Sequence, residues 1–158
     1  METTTRNPAT AAPGSYLGFR LGAETYGLDI GVVQEISGML PVTRVPGAPG
    51  HVRGVVNLRG RVVQVVDLRR LFGMAAAEET RRTSLVVCRI EDGEQTVVAA
   101  AVVDDVTEVM SIEAAALVPP TEGGAGAAVA GLARLGDGVV ILLDAVRVFC
   151  GDTRGGAA

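Results

Sequence analysis

Short apolar runs, separated by glycine, proline or acidic turn residues, follow one another along most of the chain. Runs of this length that are rich in valine are typical of β-strands. They predict three hairpins, over residues 16–30, 51–66 and 84–103, and the second of these turns at Arg59-Gly60. The returning run Val62–Val66 is nearly all valine, which predicts a strand that is buried on both faces.

The most patterned stretch, Gly54–Phe72, recurs further along the chain as Gly131–Phe149. Seven of the 19 aligned positions are identical. Both copies contain an aspartate, Asp67 or Asp144, directly after a valine- or leucine-rich run. An aspartate in this position is a common N-cap, so each copy is predicted to end in a short helical turn.

A second similarity, with a slightly shorter offset, places Glu108 opposite Glu35 and Val109 opposite Ile36. Self-similarity of this kind is the sequence signature of a duplicated structural unit. The chain is therefore predicted to contain two copies of one small unit.

The repeat predicts a single domain over residues 15–149, built from two units, 15–72 and 83–149, whose elements are partly interleaved. Residues 1–14 lack apolar periodicity and are predicted to be a disordered tail, and residues 150–158 are predicted to be a frayed C-terminal tail. Each unit contains about five short strands, and an open sheet of that kind would leave long unpaired edges. The predicted fold is all-β: two five-stranded small barrels packed together, with short helical turns.

The composition is consistent with a packed aliphatic core, and it limits the classes of partner that the protein can bind. Of the residues 48% are apolar and only 3% are aromatic, and the net charge is −4 without a basic run, which argues against nucleic-acid binding. The N-terminal residues do not resemble a secretory signal. The longest apolar run, Val97–Val103, is too short to span a bilayer, so no direct membrane insertion is expected. These features predict a cytoplasmic protein.

The residue types that carry catalysis or metal binding are scarce. His51 is the only histidine, and Cys88 and Cys150 are too few and too far apart for a metal site. The carboxylates of Asp104-Asp105 are expected to point to opposite faces of a strand. The glycine run at 123–126 lacks a preceding strand and a following lysine, so it is not a phosphate loop. We expect no catalytic residues, no metal and no cofactor.

Polar residues in apolar surroundings are the better functional candidates. Glu35 is matched by Glu108 in the second unit, which favours a structural role for both. Arg59, in contrast, is replaced by Gly136 in the second copy, so it is the better candidate for a function specific to the first unit. The alternative interpretation of Arg59 is a solvated turn residue.

Several segments together resemble the bacterial chemotaxis coupling protein family CheW. The resemblance is carried by VQEI, GVVNLRG and VVQVVDLR in the first unit, and by AVVDDVTEVMSI and GLARLGDGVVILLD in the second. It covers about residues 15–149, and the spacing of NLRG and VVDLR is specific. One departure is Ser37, where many relatives have a basic residue.

The resemblance implies two SH3-like barrels and a non-enzymatic adaptor. Members of the family join the cytoplasmic tips of methyl-accepting chemoreceptors to the regulatory domain of the histidine kinase CheA. The implied receptor-binding residues are Val33, Glu35, Leu58 and Arg59.

The kinase contact that the resemblance implies uses the ends of the barrels. In this chain it is assigned to the second-barrel residues Val102, Val106 and Met110. The implied location is the cytoplasm, with recruitment to receptor arrays at the membrane.

Three alternatives stay open. The chain can be the coupling protein of a different chemosensory pathway, for example one that controls pilus motility or development. It can be a small-molecule-binding barrel, which would require a large apolar cavity. An enzyme on a small barrel is the third alternative, and the missing histidine, cysteine and carboxylate clusters argue against it.

Overall fold

The computed structural model describes residues 11–118 and 128–151. The predicted tails lie mostly outside this part of the chain, and the glycine run 123–126 lies wholly outside it. The strands of the described residues are β1 (Gly14–Leu21), β2 (Glu24–Asp29), β3 (Val33–Gly38), β4 (Val52–Leu58), β5 (Arg61–Asp67), β6 (Ser84–Asp92), β7 (Gln95–Val103), β8 (Asp105–Ile112), β9 (Leu117–Val118), β10 (Val129–Leu135) and β11 (Gly138–Leu143).

Four short helical segments accompany these strands. They are helix α1 (Leu68–Leu71), 3-10 turns at Ile30–Val32 and Ala114–Ala116, and a π-helical turn at Arg147–Gly151. The Asp67 side chain accepts a hydrogen bond from the backbone N–H of Arg70. The predicted N-cap at Asp67 is therefore confirmed. Across the described residues, no helix is both long enough and apolar enough to cross a bilayer.

The strands form two sheets, which confirms the all-β class. One sheet has five strands in the order β3-β6-β7-β5-β4, and the other has six in the order β8-β1-β2-β11-β10-β9. In each sheet most neighbours are antiparallel, and one pair is parallel: β5 with β7, and β11 with β2. The sixth strand of the second sheet, β9, contains only two residues.

The two sheets are equivalent strand by strand. The repeated hairpins β4–β5 and β10–β11 occupy corresponding places, and so do β3 and β8, β6 and β1, and β7 and β2. The N-terminal hairpin β1–β2 thus belongs to the sheet that the C-terminal strands complete, whereas β6–β7 complete the first sheet. The sheets are therefore not the contiguous segments 15–72 and 83–149, and the extent of the interleaving is larger than the repeat alone indicated. We call the five-stranded unit barrel 1 and the six-stranded unit barrel 2.

Three apolar clusters explain why both sheets need so many valines and alanines. One cluster fills barrel 1 around Val63 and Val65, and another fills barrel 2 around Tyr16 and Leu142. The third and largest lies between the sheets and contains residues from both.

A single strand can contribute side chains to two of these clusters, one on each of its faces. In β6, Leu85 and Val87 face the core of barrel 1, whereas Val86, Cys88 and Ile90 face the core between the sheets. Successive side chains of a strand point to opposite faces, so a strand that separates two cores must be apolar throughout.

The strand β5 departs from its predicted burial. Val63, Val65 and Val66 are buried, but the side chain of Val62 is 74% exposed and Gln64 is also exposed. The prediction that this strand is buried on both faces was wrong for its first half. Only the end of β5 that carries Val65 and Val66 is covered on both sides.

Polar and aromatic contacts fix the two barrels to each other. The guanidinium of Arg69, on α1, binds Asp104 with Nε–Oδ1 and Nη2–Oδ2 distances of 3.0 and 2.6 Å. Asp104 also accepts a 2.7 Å hydrogen bond from the N–H of Gly22, in the β1–β2 turn. The ring of Tyr26 stacks on Phe72, which follows α1. The β1–β2 hairpin of barrel 2 is thereby fastened to barrel 1.

Candidate functional site

The hairpin between β4 and β5 has a two-residue turn with an unusual first residue. Arg59 and Gly60 have φ values of +53° and +84°. Positive φ at both central positions is typical of a type I′ turn, which most often contains Asn-Gly. The side chain of Asn57 accepts a 2.8 Å hydrogen bond from the N–H of Gly60 and stabilises the turn.

Arg59 is the only non-glycine residue of the described chain with a positive φ. A side chain in this region costs roughly 1 kcal/mol relative to the right-handed conformation. In the equivalent β10–β11 hairpin, glycine stands at the matching position, Gly136, with a φ of +59°. The arginine in barrel 1 is therefore held in a conformation that glycine would adopt without strain.

The guanidinium of Arg59 reaches across to the edge strand β3. Its Nη1 atom lies 2.7 Å from Oε1 of Glu35. The strands β3 and β4 are at opposite edges of the five-stranded sheet, so this contact requires the sheet to curl until its edges meet. A bridge between Thr43, in the segment that follows β3, and Val55 of β4 pairs that segment with the β4 edge, with N···O distances of 2.8 and 2.9 Å.

The Glu35–Arg59 ion pair lies at the surface. The side chain of Arg59 is 76% exposed and that of Glu35 is 22% exposed. An exposed pair of this kind contributes about 1 kcal/mol or less to folding stability. Its main consequence is to present a positive and a negative charge side by side at a fixed place on barrel 1.

The other two predicted receptor residues, Leu58 and Val33, are half-buried and pack against the cores. Leu58 packs against the core of barrel 1, directly before Arg59. Val33 packs against the core between the sheets and lines a groove of about 450 Å³ together with Ile90 and Val146. The structure thus brings Glu35 and Arg59 into contact and places Leu58 beside them, whereas Val33 lies on the groove side of β3.

Exposed apolar residues near the ion pair were missed in the sequence. Ile36, which follows Glu35 in the chain, is 46% exposed. Val62, two residues after the Arg59-Gly60 turn, is 74% exposed. The equivalent positions of barrel 2, Val109 and Val139, are 56% and 51% exposed. The alternation of Val62 with the polar Gln64 was the signal that could have identified an exposed face.

The residues assigned to the kinase contact do not form a surface. Val102 is 7% exposed and belongs to the core of barrel 1, and Met110 is 7% exposed and belongs to the core of barrel 2. Val106 is half-buried against the core between the sheets. Because they are buried, the side chains of Val102 and Met110 offer little surface for a direct contact. The exposed side chains between Val102 and Met110 are those of Thr107, Glu108 and Val109.

The titratable groups with shifted pKa values lie away from this surface. The hydrogen bond from Arg69 lowers the pKa of Asp104, although partial burial opposes this effect. Burial raises the pKa of the Cys88 thiol to about 12, so this thiol stays protonated and unreactive. Within the described part of the chain, no three His, Cys, Asp or Glu side chains are arranged to hold a metal ion.

Comparison with known proteins gives one consistent result. The family model for the CheW-like domain matches residues 15–150. A chemotaxis protein CheW from Klebsiella aerogenes is 38% identical over 132 residues, which are 82% of this chain and 77% of that protein. A chemotaxis protein CheW from Rhizobium meliloti is 36% identical over 61% of this chain and 59% of its own length.

Two further similarities concern structure and pathway. The crystal structure of the scaffolding protein TtCheW from Thermoanaerobacter tengcongensis matches with a TM-score of 0.74 and 30% identity, over 84% of this chain and 89% of that chain. Protein PilI from Pseudomonas aeruginosa is 32% identical over 46% of this chain and 42% of its own length.

Proposed function

The chain belongs to the CheW-like domain family, and we propose that it is a non-catalytic adaptor that couples methyl-accepting chemoreceptors to the histidine kinase CheA. The observation that carries the proposal is the Glu35–Arg59 ion pair of 2.7 Å on barrel 1. It unites two of the four residues that the family resemblance assigns to receptor binding, and Leu58, directly before Arg59 in the chain, packs against the core of barrel 1.

The surface around the ion pair suits a helical partner. The cytoplasmic tip of a chemoreceptor is a helical hairpin, and such a hairpin offers apolar ridges flanked by charged side chains. Exposed Ile36 and Val62 supply apolar contact area, and Glu35 and Arg59 supply one charge of each sign to set the register. The strained turn at Arg59 supports the same conclusion, because strain of this kind clusters at functional positions.

For the kinase, we propose contact through barrel 2 rather than through the buried residues Val102 and Met110. The exposed apolar residues Val109 and Val139 occupy positions equivalent to Ile36 and Val62. A partner with a similar double-barrel domain would meet comparable surfaces on both barrels. In this proposal the protein works in the cytoplasm and is recruited to receptor arrays through barrel 1.

A second candidate function is coupling in a chemosensory pathway that controls pilus motility. The similarity to Protein PilI favours it, although that similarity covers less than half of this chain. Both candidate functions are the coupling of receptors to a kinase, and they differ only in the receptors that are recognised.

A reconstitution experiment tests the coupling function. Receptor-containing membranes and the kinase from the same cell are combined with and without this protein, and kinase autophosphorylation is measured. We expect a severalfold rise only when all three components are present. Equal kinase activity with and without the protein would contradict the proposal. Receptors from the pilus pathway, tested in parallel, separate the second candidate from the first.

A further inference from the structure

A second surface of barrel 1 concentrates positive charge, away from the proposed receptor site. It is a depression of about 330 Å³ between the proline-containing segment 44–50 and helix α1. Three arginines line it, Arg44, Arg53 and Arg70, and none of its lining residues is acidic. We call it the arginine groove. The whole chain has a net charge of −4, so this local excess of cations does not reflect the general composition.

Two of the three guanidinium groups are held in place. Arg53 donates from Nε and Nη2 to Oδ2 of Asp67, at 3.3 and 3.1 Å, and Arg70 lies 3.5 Å from the same oxygen. Asp67 is buried, so it anchors both arginines beneath the groove. Arg44 is exposed and has no ion pair with any described residue.

A contact within the chain, next to the arginine groove, already pairs one of these arginines with a carboxylate. An adjoining depression of about 370 Å³ shares all three arginines, and there the carboxylate of Glu79 lies 3.0 Å from Nη1 of Arg53. The side chain of Glu79 is 51% exposed, so this internal pair is a surface contact that solvent screens. The arginine groove has the same cations, without an internal carboxylate among its lining residues.

From this geometry we propose that the arginine groove binds a carboxylate side chain of an extended acidic segment of a partner protein. Arg44 and Arg70 pair with the carboxylate, since arginine can bind it through two parallel hydrogen bonds. The apolar side of the groove, formed by Val45, Pro46 and Val52, accepts a neighbouring apolar side chain of the same segment. The prolines and the Thr43–Val55 bridge keep the wall rigid, which lowers the entropic cost of binding.

The binding site contains none of Val33, Glu35, Leu58 and Arg59. A negative result for the arginine groove can therefore be told apart from a negative result for the receptor contact, because each surface is tested by variants that leave the other surface intact.

The test is a titration of the ¹⁵N-labelled protein, followed by NMR, with a capped acidic peptide that alternates glutamate and leucine. The matched control peptide contains glutamine at every glutamate position. We expect saturable shifts at the amides of Arg44, Gly47 and Arg70 with the acidic peptide, weakening as salt is added, and no saturable shifts with the control.

Two charge-reversal variants complete the design. Arg44→Glu is expected to weaken the affinity about tenfold, because it removes the unpaired cation and adds a repulsive charge. Arg134→Glu makes the same charge change on an exposed residue of barrel 2 and is expected to leave the affinity unchanged. The proposal is overturned if the shifts map elsewhere, if the glutamine peptide or inorganic phosphate produces the same shifts, or if Arg44→Glu binds as the wild type does.

Discussion

Glu35 and Arg59 lie 24 positions apart in the chain and come from opposite edges of one sheet, yet their Oε1 and Nη1 atoms are 2.7 Å apart. The contact exists because barrel 1 curls until β3 meets the β4–β5 hairpin. It presents a charge of each sign at the surface of barrel 1, and the exposed residues Ile36 and Val62 lie close to Glu35 and Arg59 in the chain. The candidate receptor site is thus a consequence of barrel closure.

Replacing Arg59 by asparagine is expected to stabilise the protein while it weakens partner binding. Asparagine adopts positive φ more readily than arginine and is the preferred residue at this turn position. The relief of strain exceeds the loss of an exposed ion pair, so the free energy of unfolding rises by about 0.5 kcal/mol. Urea denaturation measures it, and Arg61→Asn, just outside the turn, is the control. A clear loss of stability in Arg59→Asn would show that the ion pair is mainly structural.

Gly54→Ala is expected to destabilise barrel 1 severely. Gly54 has a φ of +150° at a bulge in β4, and an added Cβ would overlap the carbonyl oxygen of Thr43 and lie 2.8 Å from Val42 Cγ1. Backbone cannot move aside as a flexible side chain can, so the cost is about 3 kcal/mol or more. Thermal unfolding measures it. Gly50→Ala, where an added Cβ meets nothing within 4 Å, should unfold as the wild type does.

The Arg69–Asp104 contact should make part of the stability depend on pH. The pKa of Asp104 is lowered in the folded protein from its ordinary value of 3.8, so its stabilising contribution is fully present above that value. The contribution is lost as the pH falls through the lowered pKa. Asp104→Asn should therefore cost about 1–2 kcal/mol at pH 7 and progressively less below pH 4. Urea denaturation at both ends of this range measures the difference, and a cost that is equal at pH 7 and pH 3 would refute the assignment.

The two barrels should unfold in a single transition. The largest apolar cluster lies between the sheets, and the contacts of Arg69 and Phe72 fasten the β1–β2 hairpin of barrel 2 to barrel 1. Neither barrel is a contiguous segment that can fold without the other. Calorimetry and denaturation followed by two probes measure this property. Two resolved transitions would show that the shared core does not couple the barrels.

The sequence predicted the strands well because local patterns determine them. The valine-rich runs, the Arg59-Gly60 turn and the Asp67 cap each depend on residues close together in the chain. The repeat also identified equivalent strands correctly, since β4–β5 and β10–β11 occupy matching places.

The partners of each strand could not be predicted in the same way. Periodicity shows which face of a strand is apolar, but it carries no information on which distant strand lies beside it. The β1–β2 hairpin was therefore grouped with its chain neighbours. For the same reason the sequence does not predict the pairing of Glu35 with Arg59, and it assigns the kinase contact to Val102 and Met110, which are buried in the cores.

The most direct test of the receptor site is co-sedimentation with receptor-containing membranes from the protein's own cell. Four forms are compared: wild type, Arg59→Glu, the control Arg134→Glu, and the charge swap Glu35→Arg with Arg59→Glu. Circular dichroism of each form verifies that it is folded. The experiment is run with and without the kinase, so that indirect recruitment is detected.

We predict that wild type and Arg134→Glu sediment with the membranes, whereas Arg59→Glu and the charge swap stay in the supernatant. The charge swap restores an internal ion pair but reverses the charges that a receptor meets. If Arg59→Glu sediments to the same extent as the wild type, the Glu35–Arg59 surface of barrel 1 is not the receptor site.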